Sequence, residues 1–259
     1  MKVVILAGGF GTRISEESYF RPKPMIEVGG KPILWHIMKM YSHYGYNEFI
    51  ICCGYKQDVI KEWFANYYLY SSDITFDFTS GHQETIIHRE QPEAWKVTVV
   101  DTGLHTMTGG RIKRIAPFVG NEPFFLTYGD GVSDVNIPEV LKFHKEKGQK
   151  ATITCAQPQG RFGKPDIRED GLVTSFREKT NEDVDWINAG FMVLEPSVFD
   201  YIEGDDTIFE RYPLEELART GELNAYKHNG FWQCMDTMRE KEMLEKLWNS
   251  DNAPWKVWD

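Results

Sequence analysis

The chain has 259 residues, 41% hydrophobic and 26% charged, with 29 basic residues against 39 acidic ones. A net charge of −10 excludes a broad phosphate-neutralising surface of the kind that grips nucleic acid, but leaves room for a small anion in a local pocket. A chain of this length buries roughly three-quarters of its unfolded surface, so it needs no disulfide or metal staple.

In chain order, the first segment is "KVVILAG" (2–8), continuously apolar, which predicts a strand buried on both faces. A glycine turn follows, then "RPKPM". "KPILWHIMKMYSHYG" (31–45) predicts a helix with Leu34, Ile37, Met38 and Tyr41 on one face, Pro32 at its start and Gly45 at its end. "NEFIICCGY" (47–55) is a second buried strand, and residues 57–70 predict one helix with Val59, Ile60, Trp63, Phe64 and Tyr67 inward. Residues 71–101 alternate without a strong helical pattern and predict a β-rich insertion, a place where subunits could meet. "PFFLTYGD" (123–130), a helix over 136–148 and "KATITCAQ" (150–157) restore the rhythm; beyond residue 160, short strands mix with helices, the last over 238–249.

Strand–helix alternation predicts an α/β protein with a Rossmann-like mixed, mainly parallel sheet flanked by helices. No repeat or linker divides the chain, so one domain over 1–259 is expected, with halves at 1–150 and 151–259. No run approaches the roughly 18 apolar residues of a membrane span, and Met1-Lys2 leads straight into a strand rather than a signal peptide. A soluble cytoplasmic protein is expected. The four cysteines (Cys52, Cys53, Cys155, Cys234) lack CxxC spacing and read as buried reduced thiols. The seven histidines are scattered without metal-ligand spacing.

The chemistry concentrates in "LAGGFGTR". Gly8, Gly9 and Gly11 follow a buried strand, where a parallel sheet opens its ligand crevice and bare backbone N–H groups can approach an anion. Ile14 stands where a GxGxxG dinucleotide fingerprint needs a small residue, which disfavours a nicotinamide dehydrogenase, and no GK[ST] closes a P-loop. A glycine turn alone could be an ordinary tight turn. Arg13, and Lys23 held between Pro22 and Pro24, add two cations, one on a stiffened backbone. Asp130, at the end of a predicted strand, could be a turn former or a metal ligand.

The series "LAGGFGTR", "RPKPM", "GGKPILWHIM", "TYGDG", "FREK", "INAGF" and "FWQCMDT" resembles the sugar-nucleotidyltransferases, the nucleoside-diphosphate-sugar pyrophosphorylases, over nearly the whole chain. Within that family, "FIICCGYK", "MTGGRIKR", "GRFG" and the tail "APWKVW" are most similar to bacterial cytidylyltransferases acting on glucose 1-phosphate. The resemblance implies a nucleotide-diphospho-sugar transferase fold with a C-terminal sugar-binding half. It implies Mg²⁺-dependent transfer of CMP from CTP to α-D-glucose 1-phosphate, giving CDP-glucose for deoxysugar and cell-surface polysaccharide synthesis; a homo-oligomer is expected separately, with subunit contacts at 71–101 and the C-terminal tail.

It also implies roles. Leu6, Ala7, Gly8, Gly9, Phe10 and Gly11 should surround the nucleotide, with Thr12 and Arg13 at the β- and γ-phosphates and Lys23 at the α-phosphate. "LHTMTGGR" (104–111) should read the base, through Thr106 and Arg111 at cytosine or ribose, with Gly129 below. Asp130 and Asp236 should hold the metal, Lys179 the sugar phosphate, and Glu178, Asn188 and Gly163 the sugar hydroxyls. Thr180 replaces the proline the family more often carries after that lysine. Two other readings remain open here: the same chemistry with UTP, dTTP or GTP or another sugar phosphate, and a non-catalytic nucleotide-sensing subunit.

Overall fold

The computed structural model describes residues 1–79, 81, 84–89, 93–158, 164–168, 172–177 and 185–258. β1 (Val3–Ala7) leads into a 3₁₀ turn at Thr12–Ile14, helix α1 (Ser15–Ser18) and a second 3₁₀ turn at Lys23–Met25. The short strands β2 (Glu27–Val28) and β3 (Lys31–Pro32) precede α2 (Ile33–His43), β4 (Glu48–Cys53), α3 (Gln57–Ala65) and α4 (Tyr67–Ser71). A hairpin of β5 (Asp73–Asp77) and β6 (Glu84–Arg89) comes before β7 (Lys96–Asp101), α5 (Thr108–Arg114), α6 (Ala116–Val119), β8 (Phe124–Tyr128) and β9 (Gly131–Ser133). Then follow α7 (Ile137–Lys147), β10 (Ala151–Ala156), a second hairpin of β11 (Lys164–Ile167) and β12 (Val173–Arg177), and β13 (Ile187–Leu194). The chain closes with α8 (Tyr212–Arg219), β14 (Leu223–His228), β15 (Trp232–Cys234) and α9 (Met238–Asn249).

Seven strands form one sheet in the order β14-β10-β13-β8-β1-β4-β7. Only β13 runs against its neighbours, and the other four pairings are parallel. Both faces are covered. Val3, Ile5 and Ala7 enter one core with α2, α7 and α9, while Val4 and Leu6 enter the other with α5, α8 and Phe209. Successive residues of a strand point to opposite faces, so a strand covered twice has no polar side to show. This is why the runs read as continuously apolar. Cys53 and Cys52 divide between the two cores in the same way.

Three expectations need correction. "WKVTVVD" is not part of the insertion: β7 joins the central sheet parallel to β4, from Glu48↔Lys96 to Cys53↔Asp101. As an edge strand it is only half covered, so its sequence alternates. The insertion is therefore only the β5/β6 hairpin. The helix expected over 57–70 breaks at Asn66, whose backbone leaves the helical region between α3 and α4. Cys234 is half-exposed rather than buried.

The tail folds onto its own core. Trp255 and Trp258 are buried beside α2 and Trp248. His36 lies among them: its Nε2 donates to the Val28 carbonyl at 2.8 Å and its Nδ1 accepts from Trp255 Nε1 at 3.3 Å. A carbonyl can only accept and an indole N–H only donate, so these partners specify one neutral tautomer. Burial agrees, pushing the His36 pKa down to about 4.

Strand order places the ligand crevice. From β1 the chain moves to β4 and β7 on one side, whereas β8 lies on the other, so the sheet opens between the C-terminal ends of β1 and β8. Gly129 N donates to Leu6 O at 2.9 Å across this opening. Beyond it, β15 pairs antiparallel with β9, Cys234 opposite Gly131, and Met235 N donates to Asp130 O at 2.8 Å. Met235 is fully buried and anchors this ribbon in the α2-side core. Met235→Ala should cost about 2–5 kcal/mol in urea unfolding and lower turnover beyond what the loss of folded protein explains.

Candidate active site

The cavity at the β1/β8 opening encloses about 580 Å³. It is lined by Leu6, Ala7, Gly8, Gly9, Phe10, Gly11, Thr12, Arg13, Lys23, Thr106, Arg111, Gly129 and Asp130, so every residue expected on the nucleotide side reaches it. The turn depends on two glycines for different reasons. Gly11 has φ +66°, a left-handed conformation that side chains disfavour. A Cβ on Gly8 would lie 2.1 Å from Arg111 Nη1.

That contact changes the reading of Arg111. It was expected at cytosine or ribose, but it is 5% exposed and donates to protein oxygens. Nη1 donates to Cys53 O, Thr102 Oγ1 and Gly103 O, and Nη2 to Gly8 O at 3.0 Å and Leu104 O. Arg111 therefore ties the glycine turn to the 102–104 segment. It forms no ion pair among the described residues, although the Asp101 charge acts on it, and its guanidinium lies beneath Gly8. Thr106 is buried in the cavity wall. Phe10 stays exposed at the mouth, its ring 5.4 Å from Tyr55 and 5.9 Å from His105, an aromatic surface on which a base can stack.

Asp130 and Asp236, remote in sequence, meet at one cation. Lys23 Nζ donates to Asp130 Oδ2 at 2.5 Å and also to Asp236 Oδ1, and Arg13 Nη1 lies 2.6 Å from Asp236 Oδ2. The β9/β15 ribbon brings the aspartates together, and the start of α9 orients the second. The buried Glu240 accepts from Asp236 N at 2.7 Å and Thr237 N at 2.9 Å, and Thr237 caps the helix in return. α9 is in turn tied to α1 by Lys241 and Glu17. Burial opposes the Lys23 charge, but Asp130 and Asp236 outweigh it and raise its pKa above the ordinary value.

Two carboxylates that already share a point cation suit a hard divalent ion, which prefers oxygen ligands and keeps waters and phosphate oxygens. No group of three or more His, Cys, Asp or Glu arranged for a metal occurs among the described residues.

A connection missed by sequence reading starts from two residues of the cavity lining, Thr108 and Tyr128. Glu210 accepts from Thr108 Oγ1 at 2.5 Å with one oxygen and from Tyr128 OH at 2.6 Å with the other. Asn188 Nδ2 donates to Tyr128 OH at 3.4 Å. Burial, then the Glu210 charge, drives the Tyr128 pKa far above its ordinary value, so the phenol remains a donor. The 104–111 segment, expected at the base, is thus joined to Asn188, the one expected sugar residue in view. Gly163, Glu178 and Lys179 lie outside the described residues. Nothing local marks Glu210 in "IFERYP"; only its partners do.

Residues 2–233 match the family model for nucleotidyl transferases. The chain belongs to that family. This nucleotidyl transferase is 57% identical to a glucose-1-phosphate cytidylyltransferase of Salmonella typhimurium, with all of both chains covered. It is 29% identical to a mannose-1-phosphate guanyltransferase of Saccharomyces cerevisiae, over 94% of this chain and 63% of that one. Among solved structures, HddC from Yersinia pseudotuberculosis complexed with GMP-PN superposes with a TM-score of 0.70 at 23% identity, covering 95% and 99% of the two chains. An inositol-1-phosphate CTP transferase from T. maritima gives 0.64 at 16%, covering 95% of each. These two likenesses establish the nucleotidyl transferase fold.

Two substitutions test the site's framework. Arg111→Lys cannot span five oxygens with one ammonium; it should lower the unfolding midpoint and weaken nucleotide binding in calorimetry by about tenfold or more, the size of one lost charged hydrogen bond. Glu210→Gln strands one hydroxyl donor and should reduce kcat/KM by about tenfold or more, with circular dichroism unchanged.

Proposed function

We propose that this nucleotidyl transferase transfers CMP from CTP to α-D-glucose 1-phosphate, giving CDP-glucose and pyrophosphate. The observation that carries the reading is the convergence of Asp130 and Asp236 on Lys23, at the edge of a cavity lined by glycine and arginine. The choice of cytosine and glucose is supported by the full-length identity of 57% to the Salmonella cytidylyltransferase and of 46% to a Bacillus subtilis relative named for the same activity.

In this reading Gly8, Gly9 and Gly11 receive the nucleotide phosphates, with Thr12 and Arg13 at the β and γ groups and Lys23 at the α-phosphorus. Thr106 and the Phe10 ring face the base, while Arg111 acts beneath the turn. Asn188 approaches the sugar, together with Gly163, Glu178 and Lys179. An oxygen of the sugar phosphate attacks the α-phosphorus in line, a new P–O bond forms, and the bond to the β-phosphate breaks as pyrophosphate departs. The attacking phosphate is already ionised at neutral pH, so no general base is needed. Holding the two anions together recovers the entropy of a bimolecular encounter. Asp130 and Asp236 would hold Mg²⁺, which supplies Lewis-acid stabilisation of the charge on the transferring phosphoryl group.

One sheet takes strands from both halves of the chain, which supports a single catalytic unit. No helix among the described residues is long and apolar enough to cross a membrane, in keeping with a cytoplasmic enzyme. Self-association belongs to the same reading: Phe76, Phe78, Ile86 and Ile87 stand exposed on the β5/β6 hairpin.

Pyrophosphate release from CTP, UTP, dTTP, ATP and GTP against glucose 1-phosphate tests the assignment, with CTP expected to lead. A clear preference for UTP or dTTP would overturn the cytidylyl part. Asp130→Ala or Asp236→Ala should lower kcat by about a thousandfold or more, since the lost stabilisation is several kcal/mol.

A further inference from the structure

The Asp130–Asp236 pair is already neutralised by the protein itself. Lys23 occupies one oxygen of each carboxylate, and Arg13 takes the second oxygen of Asp236. Two positive side chains face the two aspartates, so much of their attraction for a divalent ion is already offset. A cation that bridges the two carboxylates through the oxygens Lys23 holds must displace its ammonium, whose side chain is only 12% exposed. The backbone there cannot yield: Lys23 sits between Pro22 and Pro24 and opens a 3₁₀ turn whose Met25 and Ile26 are buried. Only the side chain can move. Its stem lies in the wall of the cavity that holds Gly9, Gly11, Thr12 and Arg13, so the ammonium can turn from the carboxylates toward an anion in the turn.

We propose that Lys23 is the resident counter-cation of Asp130 and Asp236 in the nucleotide-free protein, and that it passes to the nucleotide phosphates as a divalent cation takes its place. The cation then binds poorly alone, because the displaced ammonium would be left half-buried without a partner. The nucleotide supplies that partner, and by linkage the cation strengthens nucleotide binding by the same factor. Loading becomes mutual: the charge that would repel the attacking phosphate is neutralised at every stage, first by the side chain and then by the metal. This rests on the reading of the two aspartates as metal ligands.

Mn²⁺ titrated into nucleotide-free protein and followed by electron paramagnetic resonance tests it directly. The native chain should bind weakly. Lys23→Met should bind on the order of tenfold or more tightly, within the usual range of coupling between sites, and adding Asp130→Asn should abolish the gain. Lys23→Gln serves if the methionine variant does not fold, since its amide can still donate to a carboxylate. Mg²⁺ alone should also raise the unfolding midpoint of the Lys23 variant more than that of the native chain. No gain on removing Lys23, or a gain that survives Asp130→Asn, overturns the proposal. Failure of the metal reading itself shows separately, as native pyrophosphate release that persists in a chelator.

Discussion

Two carboxylates remote from each other in the chain share one ammonium, and the architecture around the cavity serves to hold them there. Bringing Asp130 and Asp236 together costs repulsion that only a cation can offset, and burial makes the cost larger. The fold meets it with rigid parts: the β9/β15 ribbon, the buried Met235 between the ribbon and the core, and the capping box that grips the Asp236 backbone. Each part is individually ordinary. Together they leave the aspartates one geometry, in which both face Lys23.

The second requirement is a positive floor in a protein with ten excess negative charges. Arg111 supplies it by being buried against carbonyl and hydroxyl oxygens rather than paired with a carboxylate, so its charge is solvated by dipoles and would still act on an anion above Gly8. A low-dielectric wall focuses that field into the cavity. Overall charge therefore says little about the ligand here. It governs distant encounters, whereas affinity for a phosphate is decided within a few ångströms.

The Glu210 connection links Thr108 and Tyr128, which line the cavity, to Asn188, which does not. Tyr128 stands at the end of β8, one residue before Gly129, and its hydroxyl faces both Glu210 and Asn188. Thr108 is thereby connected to Asn188 through three hydrogen bonds in series, the first two short and the last 3.4 Å long.

The doubly covered strands, the helices at 33–43 and 137–147, and the gathering of residues from Leu6 to Lys23 about one cavity were legible in the amino-acid order. They are local: a continuously apolar run, a 3.6-residue period and a glycine turn each express their physics within about ten residues. The position of β7 was not legible, because an edge strand and an insertion strand alternate alike, and only pairing with β4 distinguishes them. The part played by Arg111 escaped for a similar reason, since an arginine beside a cavity looks the same in sequence whether its fork faces ligand or backbone. Glu210 carried no local mark at all. Residue types and their periodicity thus determined the class of fold and the chemistry available. Tertiary structure alone decided which charges meet, because the partners of a buried charge are chosen by strand pairing between segments far apart in the chain.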